Sequence, residues 1–142
     1  MSLVFTLGYQ GRALEELLEI VRSHRVEQVI DVRENAWSRK PGFSAPELEA
    51  ALAPNGVTYS HLPELGCTRA ARHALWGTST TERFFEEYRE RLATRTQAVA
   101  DLLARVRESQ SLLLCLERDP SRCHRAVLAE RLRAEGFSVV DL

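Results

Sequence analysis

The sequence predicts an α/β fold: a three-layer sandwich in which about five mostly parallel strands form one sheet with helices on both faces. Short apolar runs alternate along the chain with longer segments in which apolar residues recur at helical spacing. The 142 residues suit one domain with a single hydrophobic core, and no repeat or linker divides them. We therefore predict a single α/β domain over residues 1–142.

The first elements are a strand, a helix and a second strand. Residues 3–7 form an apolar run that ends at a turn signal, Gly8-Tyr9-Gln10-Gly11. Residues 12–25 carry leucine and valine on one face, which predicts an amphipathic helix. Residues 29–32 form the second strand, and a polar loop follows to residue 43.

A second helix and a third strand come next. Ser44 and Glu47 have the spacing of a capping box, so the helix is predicted to begin there. It ends before Asn55-Gly56, and residues 57–61 form the third strand. Residues 67–78 show no clean period, and we predict a long loop for them, with a helical turn within it as an alternative.

The second half of the chain is predicted to complete the sheet. Ser79 and Glu82 form another capping box, which opens a helix that runs to about Leu92. Gly136 ends the last helix, because glycine is favoured just beyond a helix C-terminus. The same patterns predict a helix over residues 94–108, a buried strand over 112–116, a helix over 126–135 and a final strand over 137–141.

We expect the strand order 3-2-1-4-5, the commonest compact arrangement of five such strands. This order places the topological switch point between the first and fourth strands, where open α/β sheets bind ligands. The loops after those strands would face each other, with Asp31 and Arg33 at the end of the neighbouring strand. Three loops that are distant in sequence are thus predicted to form one crevice.

Composition and charge exclude several classes of protein. The net charge of −1 gives no general attraction to nucleic acid or to an anionic membrane, so a polyanion would need a local basic patch. Three cysteines are too few for a disulfide scaffold and suit a reducing compartment. The N-terminus lacks the pattern of a signal peptide, and no segment is long enough to span a membrane. We expect a cytoplasmic protein without membrane contact.

Residues 115–125 concentrate two thiols, two carboxylates, an imidazole and three guanidiniums between a predicted core strand and a helix N-terminus. We predict catalytic roles for Cys115, Glu117 and Cys123. Helix N–H groups and basic neighbours lower a thiol pKa, whereas burial raises a carboxyl pKa. The alternative is structural: Cys115 as a small core residue, and Glu117 as a partner of the loop arginines.

A metal site is a further possibility, formed by Cys115, Cys123 and His124 with either His61 or Cys67. The sequence has no CxxC pair and no HExxH helix. Cys123 and His124 are also adjacent, which is awkward for two ligands of one ion. We therefore predict no metal and no cofactor.

Basic residues on the loops around the crevice favour an anionic ligand, such as a phosphate, a nucleotide or a nucleic-acid backbone. The alternative is that these side chains are solvated and pair with carboxylates. Loop aromatics such as Trp37 could stack on a base, although such residues often only anchor a loop. The basic residues concerned are Arg12, Arg33, Arg39, Lys40, Arg122 and Arg125.

Five motifs follow one another in the chain: GYQGR at residues 8–12, DVR at 31–33, SRKPGFS at 38–44, YSHLPELG at 59–66 and CxExxPxxCHR at 115–125. Together they closely resemble the bacterial and archaeal family named domain of unknown function 488. The resemblance runs nearly end to end and implies one α/β domain with the motifs gathered at one site. It implies no settled activity.

The ligand-binding set combines the loop residues with the motif positions. Two positions depart from the family pattern: Ala36 replaces a common proline, and Cys67 replaces a second glycine. The predicted ligand-binding residues are Tyr9, Gly11, Arg12, Asp31, Arg33, Arg39, Lys40, His61, Glu64, His124 and Arg125.

The leading functional prediction is an anion-binding crevice at the C-terminal ends of the strands. Its ligand would be an anionic small molecule or a nucleic acid, and the protein would bind or act on a nucleotide- or nucleic-acid-related group. Two alternatives stay open: a cysteine-dependent small-molecule enzyme that performs sulfur transfer or hydrolysis, and a binding module without catalysis.

Overall fold

The computed structural model describes residues 2–71 and 81–142. Within these residues, five strands form one sheet in which every neighbouring pair is parallel. The predicted α/β class is therefore confirmed. The strands are β1 (Leu3–Gly8), β2 (Gln28–Asp31), β3 (Thr58–His61), β4 (Ser111–Cys115) and β5 (Ser138–Asp141).

Helices connect the strands, as the parallel arrangement requires. The predicted loop over residues 67–78 and the capping box at Ser79 lie largely outside the described residues. The helices are α1 (Leu14–Ser23), α2 (Ala45–Leu52), α3 (Thr81–Thr94), α4 (Thr96–Glu108) and α5 (Arg125–Ala134), with short 3-10 turns at Ala53–Asn55, Pro63–Leu65 and Pro120–Arg122.

The strand order is 3-2-4-1-5, so the predicted order 3-2-1-4-5 is wrong. The central strand is β4, which pairs with β1 on one side and with β2 on the other. All five of its residues are buried, whereas the edge strands β3 and β5 are partly exposed. The apolar run Leu112-Leu113-Leu114 suits a strand that is covered on both faces.

Alternate residues of the sheet face two separate hydrophobic layers, which confirms helices on both faces. One layer joins Leu7, Leu112 and Leu114 to residues of α1 and α2 such as Leu17 and Leu48. The opposite layer packs the other side of the sheet against α3, α4 and α5. Its members include Val4, Ile30, Leu113, Cys115, Tyr88, Leu102 and Leu128.

The second helix begins where the sequence predicts, but the predicted capping box does not form. Ser44 is the N-cap residue, yet its hydroxyl accepts a bond from Ser38 N (3.0 Å) and donates one to Ser38 O (3.2 Å). Glu47 accepts from Gly42 N at 3.1 Å. Both side chains therefore fasten the basic loop over residues 38–44 onto the start of α2.

The central position of β4 keeps the predicted crevice in place. Since parallel strands end at the same edge, the loops after β1, β2 and β4 meet there.

Over residues 2–71 and 81–142, no helix combines the length and apolar character needed to cross a bilayer.

Candidate functional site

A polar crevice of about 550 Å³ opens beyond the carboxyl ends of β1, β2 and β4. This volume lies in the range of small-molecule sites. The crevice is lined by Tyr9, Arg33, Glu34, Asn35, Trp37, Ser38, Arg39, Cys67, Arg69, Cys115, Leu116 and His124.

Two glycines allow the loops around the crevice to pack closely. A Cβ atom on Gly8 would lie 1.7 Å from the carbonyl oxygen of Glu117, and one on Gly66 would lie 2.1 Å from the Glu34 nitrogen. No side chain fits at these distances, so both positions require glycine. These two contacts explain the glycines at the start of the first motif and at the end of the fourth.

Arg125 holds the loop that follows β4. Its side chain is fully buried, with Nε donating to Thr6 Oγ1 at 3.1 Å and Nη2 donating to Arg118 O at 3.1 Å. Nη1 donates to the carbonyl oxygen of Glu117. Arg125 does not line the crevice, because its guanidinium is directed into the fold instead of toward a ligand.

A buried ion pair forms one wall of the crevice, behind Tyr9. Arg33 contacts both oxygens of Asp31, at 2.8 Å from Nε and 2.6 Å from Nη2. Tyr59 Oη donates to Asp31 at 2.5 Å, and Arg33 Nη1 donates to Tyr9 Oη at 3.2 Å. We call Asp31, Arg33, Tyr9 and Tyr59 the carboxylate wall.

The charges of the carboxylate wall are satisfied internally. Burial alone would lower the pKa of Arg33, but the hydrogen bonds and charge of Asp31 raise it. Burial and the bond to Asp31 both raise the pKa of Tyr59. Arg33 lines the crevice as predicted, but its charge is already paired, while Asp31 lies behind it.

The floor of the crevice holds two thiols and an imidazole. His124 Nδ1 lies 3.8 Å from the Cys115 sulfur and 3.8 Å from the Cys123 sulfur. On the other side of the ring, His124 Nε2 lies 2.9 Å from the Val32 carbonyl oxygen. Because that oxygen can only accept, Nε2 carries a hydrogen, and Nδ1 is the nitrogen nearer to the sulfurs, although the Cys115 sulfur lies beside the ring, 4.0 Å from Nε2 as well. We call Cys115, Cys123 and His124 the thiol–imidazole cluster.

The cluster shifts the acidity of its members in opposite directions. Burial alone would raise the pKa of the Cys123 thiol, but a hydrogen bond from Cys115 and the charge of His124 lower it well below its usual value. The same bond and burial raise the pKa of Cys115. Burial alone would lower the pKa of His124, yet Cys123 raises it. The cluster thus favours one thiolate beside an imidazolium.

Glu117 adjoins this cluster but does not line the crevice. Its side chain is buried, and its Oε2 lies 3.6 Å from the Cys115 sulfur. Burial, followed by the charge of Cys123, raises the pKa of Glu117. The carboxyl group can therefore influence Cys115 but reaches a crevice ligand only through it.

Several other predicted residues lie beside the crevice without lining it. Arg12 donates to Gly8 O and Leu142 O, both at 3.2 Å, and is directed toward the edge strand β5. Lys40 Nζ lies 5.6 Å from the centre of the Phe43 ring. The other predicted residues outside the lining are His61, whose Nε2 contacts Arg33 O at 2.6 Å, and the exposed Gly11 and Glu64.

The predicted residues that do line the crevice are Tyr9, Arg33, Arg39, Cys115 and His124. The sequence-based ligand set omits Cys67 and Arg69, which also line it, and Trp37, considered only as a stacking residue. Cys67 directly follows Gly66, and Arg69 lies two residues further on. Their position just after the fourth motif could therefore have identified them as crevice residues. The functional roles of all these residues stay predictions.

Comparison with protein families agrees with the resemblance in the motifs. A family model described as "Domain of unknown function DUF488" matches residues 13–132, which is most of the chain. Searches of curated proteins and of solved structures found no match. The matched range contains the second to fifth motifs and the whole thiol–imidazole cluster. The chain belongs to the DUF488 family.

Proposed function

We propose that this protein binds a small anionic molecule in the crevice, with a nucleotide as the best-fitting class. The observation that carries the proposal is the pair Arg39 and Arg69. Both are exposed and line the crevice, and neither has a carboxylate partner in the part of the chain that the structure describes. Two such guanidiniums suit a phosphate group, which Arg binds through two parallel hydrogen bonds.

The balance of charge in the lining supports the same ligand. Arg33, Arg39 and Arg69 bring three guanidiniums, whereas Glu34 is the one acidic residue among the lining residues. Because Arg33 is neutralised by Asp31, Arg39 and Arg69 bring two positive charges against the one negative charge of Glu34, and the lining keeps an excess of positive charge. The net charge of the whole chain is −1, so this positive region is local and favours a small anion over a long polyanion.

Trp37 supports a base-bearing anion. Its side chain lines the crevice and is 63% exposed, which is unusual for a residue of this size. An exposed indole beside two arginines offers a stacking surface for a nucleobase while the phosphate binds the guanidiniums.

A second candidate function is cysteine-dependent catalysis on the bound molecule. Cys115 lines the crevice and lies beside both Cys123 and His124, so the neighbouring Cys123 thiolate would take the proton of Cys115 when Cys115 attacks a bound molecule. Such a site could perform the sulfur transfer or hydrolysis that the motifs left open. Cys123 is fully buried and does not line the crevice, so it would act on a bound molecule only through Cys115.

Isothermal titration with AMP, adenosine and inorganic phosphate tests the binding proposal. We expect AMP to bind more tightly than either fragment, and Arg39→Ala or Arg69→Ala to weaken AMP by about tenfold or more. Arg107→Ala is the matched control, since Arg107 lies in the last turn of α4, at the opposite edge of the sheet. The proposal fails if no anion binds, or if the control weakens binding as much.

Alkylation with iodoacetamide near neutral pH tests the second candidate. A catalytic Cys115 should react quickly and be protected by bound AMP, and Cys115→Ser should lose that reaction. Slow alkylation of metal-free, folded protein would contradict it.

A further inference from the structure

We propose that Cys115, Cys123 and His124 form a zinc site whose remaining coordination position faces the crevice. The donor set, two thiolates and one imidazole, is typical of Zn²⁺ sites in proteins. The relevant ligand atoms all lie within 4.8 Å of one another. The proposal is independent of the anion site, because neither Arg39 nor Arg69 belongs to the cluster.

The size of the cluster fits the ion. Tetrahedral zinc with Zn–S of about 2.3 Å and Zn–N of about 2.0 Å separates sulfur and nitrogen by about 3.5 Å. Both sulfurs lie 3.8 Å from His124 Nδ1. The two sulfur–nitrogen distances therefore match the ion to within a few tenths of an ångström, while the Cys115 sulfur, which also lies 4.0 Å from Nε2, must rotate toward the Nδ1 side of the ring to complete the site.

The imidazole is already oriented as a ligand. Nε2 donates to the Val32 carbonyl oxygen at 2.9 Å, which fixes the ring and leaves Nδ1, 3.8 Å from each sulfur, as the nitrogen that can bind the ion. Metal-binding histidines commonly donate their second nitrogen to a carbonyl or carboxylate in this way. The Tyr88 ring packs against the imidazole at a centroid distance of 5.1 Å and further limits its rotation.

The backbone removes the objection that Cys123 and His124 are adjacent. Cys123 is extended (φ −131°, ψ 141°), whereas His124 is helical (φ −57°, ψ −19°). This change of conformation between neighbouring residues lets both side chains approach the same point. Cys115 reaches that point from the end of β4, which is held by strands on both sides.

Charge and exposure also suit a partly open site. Two thiolates balance the 2+ charge, so the buried complex would be neutral. Binding of the ion releases two protons from the cluster, whichever of its members hold them. Cys115 and His124 line the crevice and Cys123 does not, so a fourth position is accessible from the crevice side. Zinc sites with three protein ligands and one open position are characteristic of catalytic zinc.

Metal analysis of protein purified without chelators is the first test. We expect one zinc per chain, and cobalt substitution should give thiolate charge-transfer bands together with the d–d bands of tetrahedral Co²⁺. Cys115→Ser, Cys123→Ser and His124→Ala should each lower the zinc content to a small fraction of that value. His24→Ala is the matched control and should retain the ion, since His24 follows α1, where its Nδ1 contacts Ile20 O at 2.9 Å, and it does not line the crevice.

Three results would overturn the proposal: no stoichiometric zinc after reconstitution, no charge-transfer band in the cobalt protein, or equal loss of metal in His24→Ala. The cobalt spectrum of the wild type keeps the test decisive if a ligand variant fails to fold. The rate of alkylation with and without zinc also distinguishes a zinc site from a free catalytic thiol. Bound zinc should slow alkylation of Cys115, and a chelator should restore it, whereas AMP binding by Arg39 and Arg69 should persist in either state.

Discussion

The carboxylate wall and the thiol–imidazole cluster lie on opposite faces of the same sheet edge, and they treat charge differently. In the wall, Asp31 is surrounded by its own donors, so every charge has a partner inside the fold. In the cluster, two thiols share one imidazole, and only Cys123 has a lowered pKa. The wall therefore has its charges paired within the fold, whereas metal binding by the cluster is the proposal that the zinc and cobalt experiments test.

The difference follows from the residue types. A carboxylate and a guanidinium are both ionised at neutral pH and match each other in two parallel bonds. Thiols and imidazole exchange protons near neutral pH and also bind soft metal ions. Because the two groups lie on opposite faces of the sheet, the ion pair of the wall can stay fixed while the thiols and the imidazole still exchange protons.

Removal of the wall's carboxylate should have the largest effect. Asp31→Ala leaves Arg33 buried without its partner, and we expect a loss of about 3–5 kcal/mol in the free energy of unfolding. Urea denaturation followed by circular dichroism measures it. Glu130→Ala, which breaks an exposed pair with Arg89, should cost much less. Equal losses in the two variants would mean that the wall is not structural.

Loss of one hydrogen bond from the wall should have a smaller effect. Tyr59→Phe removes the donor at 2.5 Å from Asp31 Oδ2 but keeps the ring, and we expect a loss of about 1–2 kcal/mol. The same denaturation experiment measures this loss. A neutral result would show that water replaces the phenol at this half-buried position.

Substitution in the cluster should cost less stability but change its chemistry. In metal-free protein, Cys123→Ala removes the sulfur, and His124 can lose its proton near neutral pH, so no unpaired charge stays buried and we expect a loss of about 1 kcal/mol in the free energy of unfolding. Zinc content measured on the same sample should fall sharply. A loss as large as that of Asp31→Ala would show that the cluster stabilises the fold as much as the wall does.

The smallest effect on stability should come from the rim. Trp37 is 63% exposed, so Trp37→Ala should change the free energy of unfolding by no more than about 0.5 kcal/mol. AMP affinity, measured by titration, should nevertheless fall while phosphate affinity stays the same. A parallel fall for phosphate would show that Trp37 shapes the arginine site instead of stacking on the base.

Local patterns in the sequence are sufficient to predict the helices and strands, but not the order of the strands in the sheet. The run Leu112-Leu113-Leu114 predicts a buried strand, and the structure shows one, yet nothing in it indicates that β4 separates β1 from β2. Strand order depends on which face each crossover helix covers, and that is decided by packing between distant residues. The crevice was still predictable, because every parallel strand contributes its carboxyl end to one edge.

The direction of individual side chains was the second property that the sequence did not predict. Arg125 and Arg33 look like free cations in the sequence, but one is directed at backbone carbonyls and the other at Asp31. Conversely, the adjacent Cys123 and His124 seem unable to share a ligand until the backbone between them is known. Residue type predicts what a group can do, whereas its partners decide which of those roles is available.

The central position of β4 also has a consequence for the order of folding. Its partners β1 and β2 both come from the first 31 residues, whereas β4 begins at Ser111. Until that late segment inserts, β1 and β2 have no strand between them, so the sheet closes through contacts of long sequence separation, which favours slow folding. During synthesis, the crevice therefore cannot exist on a partial chain. Its arginines, thiols and imidazole come together in the step that completes the sheet.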